Sequence, residues 1–187
     1  MFKGINGLRG DEDYTYTMDD LRTIIRYKDN KDQFLKELFN HDVNLNSKCT
    51  VGSDMTESIL LNILYDVIFQ ENTVTVLFGS DELLLQQFKD YYISLPYFLQ
   101  PGVNTFNNKY IDCNNGSRVV SASNLCGTRG FGFETLAMID INLDIKDDVI
   151  RSLLPVVISR KQYKIYYSHV NDPDLEEMKT HLGERNV

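Results

Sequence analysis

Tryptophan is absent from this 187-residue chain, and histidine and cysteine occur only three times each. Cys49, Cys113 and Cys126 are odd in number and have no CxxC spacing, which argues against a disulfide framework and against a zinc site. They read as buried thiols. His41, His169 and His181 stand in no HxxxH or HExxH pattern, so a histidine-based metal centre has no support either. No apolar run reaches the ~18 residues that a membrane-crossing helix needs, and the opening MFKGINGLRGDEDYTY lacks the apolar stretch of a signal peptide. An intracellular protein with no membrane partner is expected. Cations are scarce too: 19 Lys and Arg face 27 Asp and Glu, for a formal charge of −8. The field of such a molecule repels phosphate backbones, so no strong direct binding to duplex DNA is expected. The most basic patch, Arg151, Arg160, Lys161 and Lys164, is small.

Hydrophobic residues make up 42% of the chain, with eleven Tyr and ten Phe, a composition that folds and that is too rich for a disordered protein. The length fits one domain. Within it the pattern suggests an N-terminal arm and helices over 1–45, an α/β core over 46–170 and a C-terminal tail over 171–187.

The first seventeen residues have no apolar period. From Met18 onward Leu21, Ile24, Ile25, Phe34, Leu35, Leu38 and Phe39 recur at the spacing of helix, with a break near Asn30. A short strand is expected over Ser47–Val51, then a turn, then a helix carrying Ile59, Leu60, Ile63, Leu64, Val67 and Ile68. Thr73–Phe78 reads as a buried strand, and Asp81–Ser94 as a helix with a stripe of Leu83, Leu84, Leu85, Phe88 and Tyr92. After a Pro-containing loop over Leu95–Val103, the turn Asn114-Asn115-Gly116 separates Lys109–Cys113 from Arg118–Ala122, the pattern of a hairpin. Thr135–Ile141 and Lys164–Ser168 read as further strands around a helix over Asp147–Ile158. Strands alternating with helices predict an α/β fold with a mostly parallel sheet between helices.

Three segments occur in order: LPYFLQPGV (Leu95–Val103), NNGSRVVSAS (Asn114–Ser123) and TRGFGFETLAMIDI (Thr128–Ile141). Together they resemble a contiguous block in the N-terminal ATPase domain of T4-type phage terminase large subunits, the motors that push DNA into proheads. LLPVVISRKQYKIYYS (Leu153–Ser168) is similar to the stretch that carries the family's next helix and strand. The likeness covers about residues 25 to 172 and implies a P-loop, RecA-like core. The chain ends near the place where the family continues into a nuclease domain, so the resemblance implies no nuclease here.

ATP hydrolysis by a P-loop protein needs a phosphate-binding Lys, a Ser or Thr on Mg²⁺, an Asp for that metal and an acid that places water. In the alignment that the resemblance implies, the family's Gly-Lys-Thr falls on Asp54-Met55-Thr56, which leaves only the hydroxyl of Thr56. Gly52 lies one step early, and Asp54 adds a repelling carboxylate at a helix start that would otherwise attract anions. A lone Thr at a helix start is more often a cap than a metal ligand, and Thr56 is read as a cap. The two Walker B acids fall on Asn142 and Leu143, with Asp140 two residues early on the side of the strand that Asn142 shares. The adenine-recognising Tyr-Gln falls on Asn30-Lys31, and the coupling segment on Ser168-His169-Val170. Arg129-Gly130 matches the family, although Arg129 can simply brace a glycine-rich loop.

The reading that follows is a non-hydrolytic, terminase-like binding or regulatory module of phage origin, linked to viral DNA packaging. Two alternatives stand beside it: an unconventional ATPase subunit that borrows a cation from a neighbour, and a virion component that reuses the fold. No catalytic residue, metal site or cofactor is expected, with ATP and magnesium implied only by the ATPase alternative. The flanks carry Asp11, Glu12, Asp13, Asp19, Asp20, Asp174, Glu176 and Glu177, and Tyr14 and Tyr16 supply aromatic anchors. That combination suits a basic protein surface, such as the packaging machinery or another copy of the chain. The expected location is the host-cell cytoplasm or the virion.

Overall fold

Thr17 opens the first helix, α1 (Met18–Asp29), in the computed structural model, which describes residues 15–40, 54–79, 83–121, 132–139, 156 and 164–167. Its hydroxyl accepts from the Asp20 amide at 3.1 Å, and the Asp20 carboxylate accepts from the Thr17 amide at 2.9 Å. This reciprocal box satisfies donors that a helix start leaves without partners. The expected break falls at Asn30, whose side chain accepts from the Gln33 amide at 3.0 Å and so caps α2 (Lys31–Phe39). Asn40, in the left-handed region at φ 49°, closes that helix.

Every residue of α3 (Asp54–Phe69) from Ser58 to Phe69 is buried. Apolar side chains fill most of this stretch, with Ser58, Asn62 and Asp66 as a buried polar stripe at i, i+4, i+8, and the stretch is covered on all sides. Phe34 of α2, with 0% exposure, meets Tyr27, Phe39, Tyr65 and Phe69 edge to face at centroid distances between 5.3 and 5.9 Å. The Tyr65 hydroxyl donates to the Lys28 carbonyl at 2.7 Å, which ties α3 to the end of α1. Asn62 donates back to the Ser58 carbonyl at 2.8 Å, so its buried amide keeps a partner within the helix.

The chain then builds β1 (Val74–Gly79), α4 (Leu84–Ser94), β2 (Val103–Phe106), β3 (Tyr110–Cys113), β4 (Arg118–Ser121), β5 (Thr135–Ile139) and β6 (Lys164–Tyr167). These strands form one sheet in the order β2-β3-β4-β1-β5-β6. The pairs β1–β4, β1–β5 and β5–β6 are parallel, whereas β2–β3 and β3–β4 are antiparallel. The fold is α/β, as the alternation of elements implied, and the expected mostly parallel sheet is a mixed one, with three parallel and two antiparallel pairings among the described residues.

Asn114, Asn115 and Gly116 form the β3–β4 turn, which is closed by Cys113 donating to Ser117 at 2.8 Å. Gly116 takes φ 82°, a conformation that glycine adopts without steric cost. The loop before β2 contains a single 3-10 turn (Tyr97–Leu99), and the Tyr92 hydroxyl donates to the Pro101 carbonyl beside it.

Two expectations need correction. Leu83 does not belong to the α4 stripe. It sits at the N-cap position, ahead of the helical repeat, and is 60% exposed. Thr56 is not a cap, because α3 begins at Asp54 and places Thr56 inside the first turn. The expected strand over 47–51 lies outside the described residues, as does the helix over 147–158 apart from Val156, which is helical. No described helix is long and apolar enough to cross a membrane.

Phe34 joins three elements through one ring, so Phe34→Ala should cost about 3–5 kcal/mol of unfolding free energy. Urea denaturation measures this, and an unchanged midpoint would show that α2 does not cover α3.

Candidate functional site

Ligands of open α/β sheets bind outside the carboxyl ends of the strands, where the direction of strand progression reverses. Here that point lies between β1 and β5. The chain leaves β1 toward β4 on one side, and it leaves β5 toward β6 on the other. The last described pair on this edge is Gly79 with Ile139. Asp140 follows Ile139 in the chain and, with Asn142, Arg129 and Gly52, lies outside the described residues.

The orientation of α3 is set at its other end. Asn115 donates to the Val67 carbonyl at 2.7 Å, Ser117 donates to the Gln70 carbonyl at 3.2 Å, and Lys164 binds Asp66 at 2.7 Å. Ser117 and Lys164 stand at or beside the starts of β4 and β6, so the last turn of α3 is fixed at the amino edge of the parallel strands. A buried helix anchored there, about 24 Å long at 1.5 Å per residue, directs its first turn toward the opposite, carboxyl edge. Asp54, Met55 and Thr56 occupy that first turn.

Thr56 lines a cleft of about 400 Å³ together with Glu57, Gln87, Asp90 and Tyr91. Gln87, Asp90 and Tyr91 share one face of α4 at i, i+3, i+4 spacing. Burial raises the Tyr91 pKa, and the fields of Glu57 and Asp90 raise it further. The phenol therefore keeps its proton, and the two carboxylates give the cleft a negative potential. Such a lining favours a cation or a neutral donor and disfavours a triphosphate.

Three engaged lysines, the buried Lys89, the half-buried Lys31 and the exposed Lys164, lie elsewhere. Lys89 is directed toward the β2–β3 connection, where it donates to the Asn107 carbonyl and sits 4.9 Å above the Phe106 ring; burial lowers its pKa. Lys31 lies 5.2 Å above the Tyr65 ring; burial lowers its pKa, and Asp66 opposes that shift. Lys164, part of the small basic patch, is engaged by the buried carboxylate of Asp66. Among the described residues there is no group of three or more His, Cys, Asp or Glu arranged to hold a metal.

Of the interface residues proposed from sequence, Tyr16 is half-buried and packs against the hydrophobic core. The Asp20 carboxylate caps α1, and Asp19 pairs with Arg22 at 3.3 Å on an exposed face. Tyr14, Glu176 and Glu177 lie outside the described residues. The cleft itself went unrecognised in the sequence. Its α4 half is legible as polar residues at helical spacing, but its meeting with Thr56 and Glu57 depends on tertiary packing. No protein-family model matches the chain, and no curated protein is significantly similar to it.

Cys113 is the one cysteine within the described residues, and it is buried as expected. Burial, with a contribution from Asp112, pushes its thiol up from 9.0 to about 12, so it is no nucleophile at neutral pH. A folded-state pKa above the unfolded value stabilises the fold below pH 9.0 and loses that contribution as pH rises toward about 12. Alkylation mapped by peptide mass should therefore label Cys113 slowly at neutral pH until denaturant is added. Fast labelling of the native protein would contradict the burial. Cys113→Ala should remove this share of the alkaline loss of stability.

Proposed function

We propose that this chain is a non-hydrolytic binding or regulatory module built on a degenerate, terminase-like P-loop core, acting on protein partners connected with viral DNA packaging. The supporting observation is the lining of the cleft at the start of α3. Asp54-Met55-Thr56 form the first turn of that helix, and among the described residues the adjoining cleft is lined by Glu57 and Asp90 with no Lys or Arg. A helix start of this kind attracts a phosphate through its amides and dipole. Here the side chains around it carry the charge that opposes one. The cost to chemistry is large, since removal of a single transition-state donor slows a reaction by roughly 10²–10³-fold.

The ordered LPYFLQPGV, NNGSRVVSAS and TRGFGFETLAMIDI segments support the terminase-like part of the reading. In the described residues they serve packing: Leu95 and Leu99 are buried, Pro101 accepts from Tyr92, and Leu136 and Ala137 fill the centre of the sheet. What persists is scaffold. The acidic flanks and the exposed Met18 and Ile25 on α1 suit a basic partner with some apolar surface, either packaging proteins or a second copy of the chain. The host-cell cytoplasm or the virion is the location in keeping with this role.

Purified protein should release no phosphate from magnesium-ATP above the buffer rate. Affinity capture from infected cells should lose partners when residues 1–17 or, separately, 174–187 are deleted. Turnover that disappears on Thr56→Ala would overturn the non-hydrolytic reading in favour of an ATPase, and a partner set unchanged by both deletions would remove the assignment of the interface to the flanks.

A further inference from the structure

The sequence Asn115-Gly116 is the dipeptide most prone to deamidation in flexible chains, because glycine offers no side chain to hinder attack by its own amide nitrogen. In this fold the pair is also structural. The Asn115 side-chain amide donates to the Val67 carbonyl at 2.7 Å, and its oxygen accepts from the Ser117 amide at 3.0 Å. The Gly116 amide donates to the Cys113 carbonyl at 3.0 Å, and the Asn115 carbonyl accepts from the Asn72 amide at 3.1 Å. One residue thus holds three parts of the molecule together, its side chain joining the end of α3 to the β3–β4 turn and its backbone carbonyl binding the approach to β1.

We propose that Asn115 is a modification site which the native fold keeps silent, and whose conversion to aspartate or isoaspartate unfastens the end of α3 from the sheet. In the reaction the Gly116 nitrogen gives up its proton and forms a bond to Cγ of Asn115. The Cγ–Nδ2 bond breaks, and ammonia leaves with that proton, which closes a succinimide. Water then adds to either ring carbonyl, and opening of the ring yields aspartate or isoaspartate. Every participant in the first step is occupied in the folded state. The attacking nitrogen is bonded to Cys113, the leaving amide to Val67 and the carbonyl oxygen to Ser117. Reaction therefore requires the turn to open locally.

The product is wrong for the place it occupies. Asn115 faces carbonyls at the C-terminal end of α3, where the helix dipole is negative and amide donors stabilise. A carboxylate there replaces a donor with a charge of the same sign. Isoaspartate in addition lengthens the backbone inside a turn whose next residue sits at φ 82°. The change is irreversible without a repair enzyme, so each opening of the turn carries a chance of permanent release.

The test is peptide mapping by mass during incubation at mildly alkaline pH, comparing native protein with protein held in urea. Deamidation at Asn115 should be at least about tenfold slower in the native sample, in proportion to how seldom the turn opens. Equal rates in the two samples would overturn the protection. For the consequence, Asn115→Asp should melt at a lower temperature than the parent, while Asn108→Asp, on the exposed β2–β3 connection, should not. Failure of Asn115→Asp alone to fold supports the same conclusion. An unchanged melting temperature in Asn115→Asp, together with an unchanged one in the deamidated fraction isolated from aged parent protein, would overturn it.

Discussion

The rest of this structure depends on one constraint, that α3 is buried on every side from Ser58 to Phe69. Nine of these twelve positions are apolar or aromatic, and the polar Ser58, Asn62 and Asp66 are buried with them, so the chain surrounds the helix. The N-terminal helices exist in their observed positions for that reason. Phe34 is placed against Tyr65 and Phe69, and the capping box at Thr17 with the Asn30 cap fixes the phase that delivers it. The sheet and α4 cover the remaining sides. Burial of this kind leaves little freedom at the ends of the helix, where backbone groups without partners must find them.

Those partners come from far along the chain. Asn115 and Ser117 reach the carbonyls at the C-terminal end, and Lys164 reaches Asp66 across 98 positions of sequence. Each contact joins the end of α3 to the start of a parallel strand, and together they aim its first turn at the carboxyl edge of the sheet. The geometry that an anion-binding site uses is thus present as a consequence of packing, while the side chains around it are acidic. Scaffold and chemistry separate at this point: core positions answer to α3, whereas nothing in the core demands a lysine at Met55.

Much of the fold was readable in the residues themselves. The break at Asn30, the β-branched run Thr73–Phe78 and the Asn-Asn-Gly turn each carry a local cause that tertiary packing did not override. Leu83 failed because a helical stripe was extended past the position where the helix begins, and exposure followed. The four-residue β2 left little periodic signal, since its alternation is between half-buried and exposed residues at a sheet edge. The cleft could not be read from sequence, because Glu57 and Asp90 meet only once α3 and α4 are packed. The Lys164–Asp66 pair was hidden for the same reason, and with it the fact that one cation of the supposed basic patch is already engaged.

The central proposal is that α3 is a spine enclosed from Ser58 to Phe69 whose first turn binds no nucleotide. Hydrogen exchange along this helix, followed with and without magnesium-ATP, tests both halves at once. The expected result is that amides of residues 58–69 exchange only through global unfolding, and that the amides of residues 54–57 exchange at the same rate whether or not nucleotide is present. Slowing of the first-turn amides by nucleotide, or rapid exchange through residues 58–69, would contradict it.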